Sequence, residues 1–293
     1  MDTTDPEISF DEKGYCNHCN SFFSNAPKFM YKGEESDRKL EELVSHIKVY
    51  GKNREYDCLV GISGGVDSSY VAYIVKKTGL RPLVVHFDNG WNTELSIRNI
   101  ENVVKKLGFE YQTYVVDWEE FRDVQMAYLE ASVLDVETPT DHAFLAALYR
   151  LSARHGIRYI ITGSNFATEA ILPKSWGYNS KDLRQLKAIY RRFGKRKLKS
   201  FPFLGFLREF YYTYIRRIRL IRILQYVPYS KNEAIKTLHD ELGWEYYGGK
   251  HYESLFTRFT QAYMLPVKFN VDKRRAHFST LVCNGEITRD QAL

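Results

Sequence analysis

Four apolar runs, each ending in polar residues and separated by helix-compatible stretches, constrain this chain more than any other feature. DCLVGI (57–62), RPLVVHF (81–87), YQTYVV (111–116) and RYIITG (158–163) read as strands. Residues 67–78, 93–107, 118–132 and 141–155 carry helical periodicity between them. Apolar strands alternating with helices predict an α/β fold, a parallel β-sheet with helices on both faces. Ligands of such sheets sit at the carboxyl ends of the strands, beside a topological switch point.

Those ends hold the unusual residues. The first strand runs into SGGVDSS (63–69), the second into HFDNGWN (86–92) and the fourth into TGSNFATE (162–169), while PTDHA (139–143) opens the helix before the fourth strand. One polar cluster could be a turn, but several on one edge of a sheet read as a site. At the first, Gly64 and Gly65 let the backbone turn sharply and bring N–H groups to an anion. The helix starting near Asp67 adds its positive end, and Ser63, Ser68 and Ser69 add hydroxyls. The Walker pattern G-x-x-x-x-G-K-S/T is absent, and so is G-x-G-x-x-G at this elbow. Judged by its glycines alone, the elbow could equally be a tight turn with Asp67 as a helix cap.

The 293 residues are 44% hydrophobic, enough for one large domain or two small ones, and 15% aromatic, which excludes wholesale disorder. No run of apolar residues is long enough to span a bilayer. The acidic start, MDTTDPEISFDEKG, lacks the apolar stretch of a signal peptide, and four cysteines make no disulfide scaffold. A cytoplasmic location is the expectation. Net charge is +6, yet 181–222 alone carries 14 Lys/Arg against 2 Asp/Glu, leaving the remainder negative. Such a patch suits nucleic acid, lipid headgroups or a phosphorylated substrate. Within it, 207–225 reads as a helix with Leu207, Phe210, Tyr211, Tyr214, Ile218 and Ile221 on one face, packing on the core. From 230 the pattern is helical again, broken at 243–251 and at Pro266. The chain thus divides into 1–56, an α/β unit over 57–180, a basic aromatic-rich helical excursion over 181–229, and a helical region over 230–293.

The whole elbow string says more than its glycines. SGGVDS resembles the PP-loop, S-G-G-x-D-S, of the ATP pyrophosphatase superfamily, whose fold is adenine nucleotide alpha hydrolase-like. That resemblance implies cleavage of ATP between its α and β phosphates, with AMP placed on a substrate oxygen. Mg²⁺ would neutralise the departing pyrophosphate. Asp67, Asp88 and Glu169 are the strand-end carboxylates able to hold it, and each could equally be a cap or a surface acid.

The rest of the chain is similar to one branch. The start MDTTDPEISFDEKGYCNHC, then HFDNGWN, PTDHA, TGSNFATE, YVPYSKNEAI (226–235), LGWEYYGGKHYES (242–254) and LPVKFNVDKRRAHFSTLVCNGEITRDQAL (265–293) resemble the N-acetyl sugar amidotransferases of bacterial O-antigen and pseudaminic acid biosynthesis. The likeness is weakest over 181–222. It implies adenylation of the amide oxygen of an N-acetyl group on a nucleotide-linked sugar, attack by ammonia, and an acetamidino product for lipopolysaccharide. Ammonia in that family comes from a separate glutaminase with a cyclase-like partner, and no glutaminase can be placed here.

The same resemblance ranks the residues. Ser63, Gly64, Gly65, Asp67, Ser68 and Ser69 would hold the ATP phosphates, with His86, Asp88 and Asn89 beside the nucleotide. Gly163, Ser164 and Asn165 would complete that pocket. Thr140, Lys250, Glu253, Lys273, Arg274 and Arg275 would meet the sugar nucleotide. Asp67, Asp141, His142 and His251 would be catalytic, the histidines as proton carriers. Cys16 and Cys19 form C-x-x-C, half of a four-ligand zinc site; relatives carry an earlier C-x-x-C, and zinc stays open. C-x-x-C beside a PP-loop also fits the tRNA thiolases, the alternative reading. The resemblance to sugar enzymes speaks against a nucleic-acid partner. A surface helix on anionic membrane is a third use for 201–229.

Overall fold

The computed structural model describes residues 1–293. Five strands, β1 (Cys58–Ile62), β2 (Pro82–Asp88), β3 (Glu110–Val115), β4 (Tyr159–Thr162) and β5 (Arg219–Arg222), form one sheet in the order β3-β2-β1-β4-β5. Every pairing is parallel. Ile62 stands opposite His86, Leu59 opposite Ile160, and Ile161 opposite Ile221. The four expected strands lie within a residue or two of their predicted places.

Helices α1 (Asn17–Phe29) and α2 (Gly33–Gly51) precede the sheet, and α3 (Val66–Lys77) and α4 (Glu94–Leu107) connect its first three strands. Helices α5 (Trp118–Glu130) and α6 (Thr138–Arg154) carry the chain across to β4. After it come α7 (Phe166–Glu169), α8 (Leu183–Phe193), α9 (Phe206–Phe210), α10 (Lys231–Leu242), α11 (Leu255–Phe259), α12 (Leu265–Phe269) and α13 (Lys273–Asn284). Strand residues alternate between two cores. Cys58, Val60, Ile62, Val84 and Ile161 pack with α2, α3, α4 and α10. Leu59, Leu83, Val85 and Ile160 pack under α6. Both faces are covered, as a parallel sheet requires. β1 lies between β2 and β4, so the chain leaves it toward one side and returns on the other. The switch point is therefore at the carboxyl ends of β1 and β4.

Two expectations need correction. Residues 207–225 do not form one helix. α9 continues as a π-type turn, Tyr211–Ile215; the chain then passes through Arg217 at φ 55° and becomes β5. The face expected to be buried is mostly in water: Leu207 is 79% exposed and Tyr214 67%, although Ile218 is buried. The region 181–222 thus adds a fifth strand to the sheet and an apolar surface ridge. Nor does Pro266 break a helix. α11, the π-type turn Thr260–Met264 and α12 are consecutive, and Pro266 directly follows the π-type turn, where the i→i−4 ladder is already interrupted.

Candidate active site at the carboxyl edge of the sheet

The elbow after β1 is a cradle of backbone donors. Gly64 has φ +78°, and a Cβ there would strike the carbonyl oxygen of Ser96 in α4. A Cβ on Gly65 would stand 2.9 Å from Glu253 Oε1. The glycines are needed because other chain segments press on the turn, beyond the demands of the turn itself. The N–H groups of Gly64, Asp67 and Ser68 make no hydrogen bond within the chain and face the first turn of α3. The Ser68 hydroxyl accepts from the Ser63 N–H at 3.1 Å and lies 3.1 Å from Ser63 Oγ, while Ser69 Oγ is buried and unpartnered. Gly163, just past β4, closes the other wall: a Cβ there would be 2.9 Å from Ser68 N. The expected convergence of the first and fourth strand ends is present.

A C-terminal segment covers the cradle. The Trp244 indole N–H donates to the Gly64 carbonyl at 2.9 Å, and the Tyr247 hydroxyl accepts from the Val66 N–H at 3.1 Å. Asn99 of α4 exchanges two 2.8 Å hydrogen bonds with the backbone of Glu245. The Thr93 N–H donates to the Glu253 carbonyl at 3.0 Å. GWEYYGGKHYE is therefore latched onto the carboxyl-end side of the sheet, over the elbow.

Charged groups converge on this floor. Asp67 is partly open to water yet surrounded by protein, and accepts the Tyr229 hydroxyl. Burial, and then Glu169, raise its pKa above the usual carboxylate range, against the pull of Lys250 and Lys231. Lys250 Nζ is 3.2 Å from Glu169 Oε1. Burial alone would raise Glu169, but Lys250 and His251 hold it below its ordinary value. His251 Nδ1 lies 3.7 Å from Glu253 Oε1. Burial pushes Lys231 down. Burial and Lys250 hold His277 near 3, so it is neutral and its Nδ1–H donates to the Thr168 carbonyl at 3.0 Å.

A second acid pair opens α6. Glu137 and Asp141 are four residues apart, one helical turn. Burial, then Asp141, pushes Glu137 up to about 7. Burial, then Asp135, pushes Asp141 up to about 6. Lys273 and His251 pull both the other way. The Thr257 hydroxyl donates to Glu137 Oε1 at 3.0 Å, and buried Thr140 Oγ1 and Glu253 Oε2 have no partner. His251 thus acts electrostatically on both acid clusters.

These features decide the family once set beside known proteins. A family model described as NAD synthase matches residues 39–201, more than half of the chain. The chain belongs to the NAD synthase family. A second model, LPS biosynthesis protein WbpG-like, C-terminal domain, matches residues 253–293. The chain is 24% identical over 190 residues to tRNA(Ile)-lysidine synthase of Chlamydia pneumoniae, covering 64% of this chain and 49% of that protein. It therefore spans about half the length of that curated relative. An NH3-dependent NAD synthetase from Campylobacter jejuni is 18% identical, with a TM-score of 0.36, over 53% of this chain and 72% of that one. A U34-tRNA thiolase from Methanococcus maripaludis is 13% identical, with a TM-score of 0.40, over 87% and 80%.

For this NAD synthase family member, several expected site residues are engaged elsewhere. His142 is no proton carrier: its Nδ1–H donates to the Ser180 carbonyl at 2.6 Å and its Nε2 accepts from the Leu204 N–H at 3.0 Å. Both ring nitrogens are spent pinning loops, and burial keeps the ring neutral. Arg274 pairs with Asp272 and Arg275 with Asp2, whereas Lys273 makes no ion pair. Asp88 accepts from the Gly90 N–H and from Asn92 Nδ2, ordering its own loop. His86 bridges the Ile62 carbonyl and Asn92, and Asn89 accepts from the Trp91 N–H. Asn165 caps α7, and Ser164 is exposed beside it.

No three His, Cys, Asp or Glu side chains are arranged to hold a metal ion. Cys16 and Cys19 approach to 3.3 Å, and Cys283 stands beside Cys19, its thiol pushed up to about 12 by burial and then by that neighbour. Asp67 and Glu169 fit Mg²⁺ better, because that ion takes one or two carboxylates and completes its shell with phosphate oxygens and water. Tyr229, Lys231, Glu137, Tyr247 and His277 were missed in the sequence. The first two lie in YVPYSKNEAI and Tyr247 in LGWEYYGGKHYES, strings singled out without assigning those residues.

Proposed function

We propose that this chain is an ATP-dependent amidotransferase that adenylates the amide oxygen of an N-acetyl group on a nucleotide-linked sugar. Ammonia-derived nitrogen then replaces that oxygen, giving an acetamidino group for bacterial surface polysaccharide. The observation that carries this reading is positional. The WbpG-like segment begins at Glu253, whose carboxylate lies against Gly65 of the phosphate cradle, and it supplies Lys273 opposite Glu137 and Asp141. That the WbpG-like segment faces both the cradle and the second acid pair supports this reading.

The chemistry follows from the residues. Free N–H groups of Gly64, Asp67 and Ser68 receive the β and γ phosphates and leave the α phosphorus open to attack. Asp67 and Glu169 would hold Mg²⁺, which would supply charge neutralisation for the leaving pyrophosphate. Tyr229 fixes the Asp67 carboxylate, and Lys250 fixes Glu169. Glu137 and Asp141 accept a proton near neutral pH, which suits them to taking one from the attacking nitrogen. Lys273 and His251 face the same space. A separate glutaminase would deliver the ammonia.

The test is incubation with ATP, Mg²⁺, ammonium and diacetamido sugar nucleotides, followed by mass spectrometry. Each converted acetamido group makes the sugar about 1 Da lighter, as adenylation before attack requires. AMP and pyrophosphate should accumulate in equal amounts. Release of ADP and phosphate would end this reading. Transfer to a tRNA base without sugar turnover would favour the tRNA-modifying alternative.

A further inference from the structure

At the opposite, amino edge of the sheet lies a pocket of about 380 Å³ lined by Tyr50, Arg54, Arg158, Ile215 and Arg216, with no acidic residue among its lining. The Arg54 and Arg158 guanidinium carbons each stand 4.4 Å from the Tyr50 ring centroid. The Arg54 guanidinium donates to the Gly156 carbonyl at 3.1 Å and that of Arg216 to the Ala153 carbonyl at 2.7 Å, which fixes both heads. Arg158 Nε is buried with no partner. None of the three makes an ion pair within 4 Å. Held guanidiniums without a counter-charge form a site for a phosphate group.

The wall of that pocket is also the end of the apolar ridge. Phe206, Phe210 and Tyr214 form one row along α9 and its π-type extension, with ring centroids 6.5 and 4.9 Å apart. Leu207 and Ile215 stand in the adjacent row, 79% and 62% exposed. Arg217 and Arg219 follow at the amino end of β5, both exposed. An apolar ridge flanked by arginines suits an interfacial position on an anionic bilayer. RNA would stack on the rings but gain nothing from Leu207 and Ile215. A second copy would set one basic face against another.

We propose that this face docks on an anionic phospholipid surface, with the arginine pocket taking a lipid phosphate and the aromatic ridge lying among the headgroups. No helix is long and apolar enough to cross a membrane, so this attachment is peripheral. The active site, at the other edge of the sheet, faces away from the lipid.

The full chain should co-sediment with phosphatidylcholine vesicles containing phosphatidylglycerol, and not with phosphatidylcholine alone. Salt should release it. Inorganic phosphate should release it more effectively than chloride at equal ionic strength. Leu207→Ser with Ile215→Ser should lose binding while ATP turnover is kept. Arg217→Glu and Arg219→Glu, both at the surface and at the amino end of β5, should each weaken binding about fivefold or more. Four results would overturn the proposal: no retention on anionic vesicles, equal retention on neutral ones, tRNA binding that Leu207→Ser leaves intact, or a dimer that Leu207→Ser dissolves. Equal action of phosphate and chloride would remove the pocket from it.

Discussion

Asp67 is held in a condition that costs stability and serves chemistry. Its carboxyl is surrounded by protein, faces Glu169, and is fixed by the Tyr229 hydroxyl. Asp67→Asn keeps the acceptor for Tyr229 and removes an unfavourable charge. Thermal stability should not fall, while pyrophosphate release falls on the order of a hundredfold or more. Stopped pyrophosphate release in a folded variant, read by a coupled phosphate assay and circular dichroism, checks both halves. Glu137 makes a second prediction. Its pKa, pushed up to about 7 by burial and by Asp141, means the folded chain binds this proton more tightly than the unfolded one. Stability is therefore greatest below the ordinary glutamate value and declines as pH rises through about 7. Glu137→Gln removes this group's share of that decline, so melting temperatures of the variant should change less between about pH 5 and about pH 7 than those of the parent chain. A parallel fall in both proteins would show that Glu137 is not the titrating group. At this scale the sequence was partly legible. Asp67 was readable because a motif contains it. Tyr229 was not, because a tyrosine in a helical region gives no sign of the carboxylate it meets 162 residues away. His142 misled, since a histidine among polar residues looks alike whether it faces a ligand or two backbone groups.

Among the elements, the turn between β1 and α3 is the one most tightly set by its neighbours. Gly64→Ala forces a side chain into positive φ against the Ser96 carbonyl, which should destabilise the fold by more than about 1 kcal/mol. Nucleotide affinity should fall as well, because the donors of the cradle move with the turn. Urea denaturation and an ATP titration read the two effects, and full ATP affinity in the variant would separate the elbow from the nucleotide. β1, β2 and β4 were legible because their central residues are buried on both faces and form apolar runs. β5 was not. Arg219–Arg222 is a four-residue edge strand with arginine at both ends, the kind of charged, short edge that resists further pairing. One of its two apolar residues, Ile221, happened to continue a helical period that begins in α9. The order of the expected helices survived because each is bounded by a cap or a glycine, such as Thr93 before α4 and Gly108 after it.

Taken whole, the molecule is polarised along its strands. The carboxyl edge carries the phosphate cradle, the two acid clusters and the WbpG-like segment; the amino edge carries unpaired arginines and an apolar ridge. The local period of the sequence could place strands and helices, but not this division. It arises from the direction in which β5 joins the sheet, bringing 215–217 to the amino edge beside Arg158. The central claim concerns the carboxyl edge: ATP activates an amide oxygen there. A sugar nucleotide with heavy oxygen in its acetamido groups tests this directly, in a reaction with ATP, Mg²⁺ and ammonium. The account predicts that the heavy oxygen leaves with AMP, in step with the acetamidino product. Heavy oxygen appearing in inorganic phosphate, or remaining on the sugar while ATP is consumed, would contradict it.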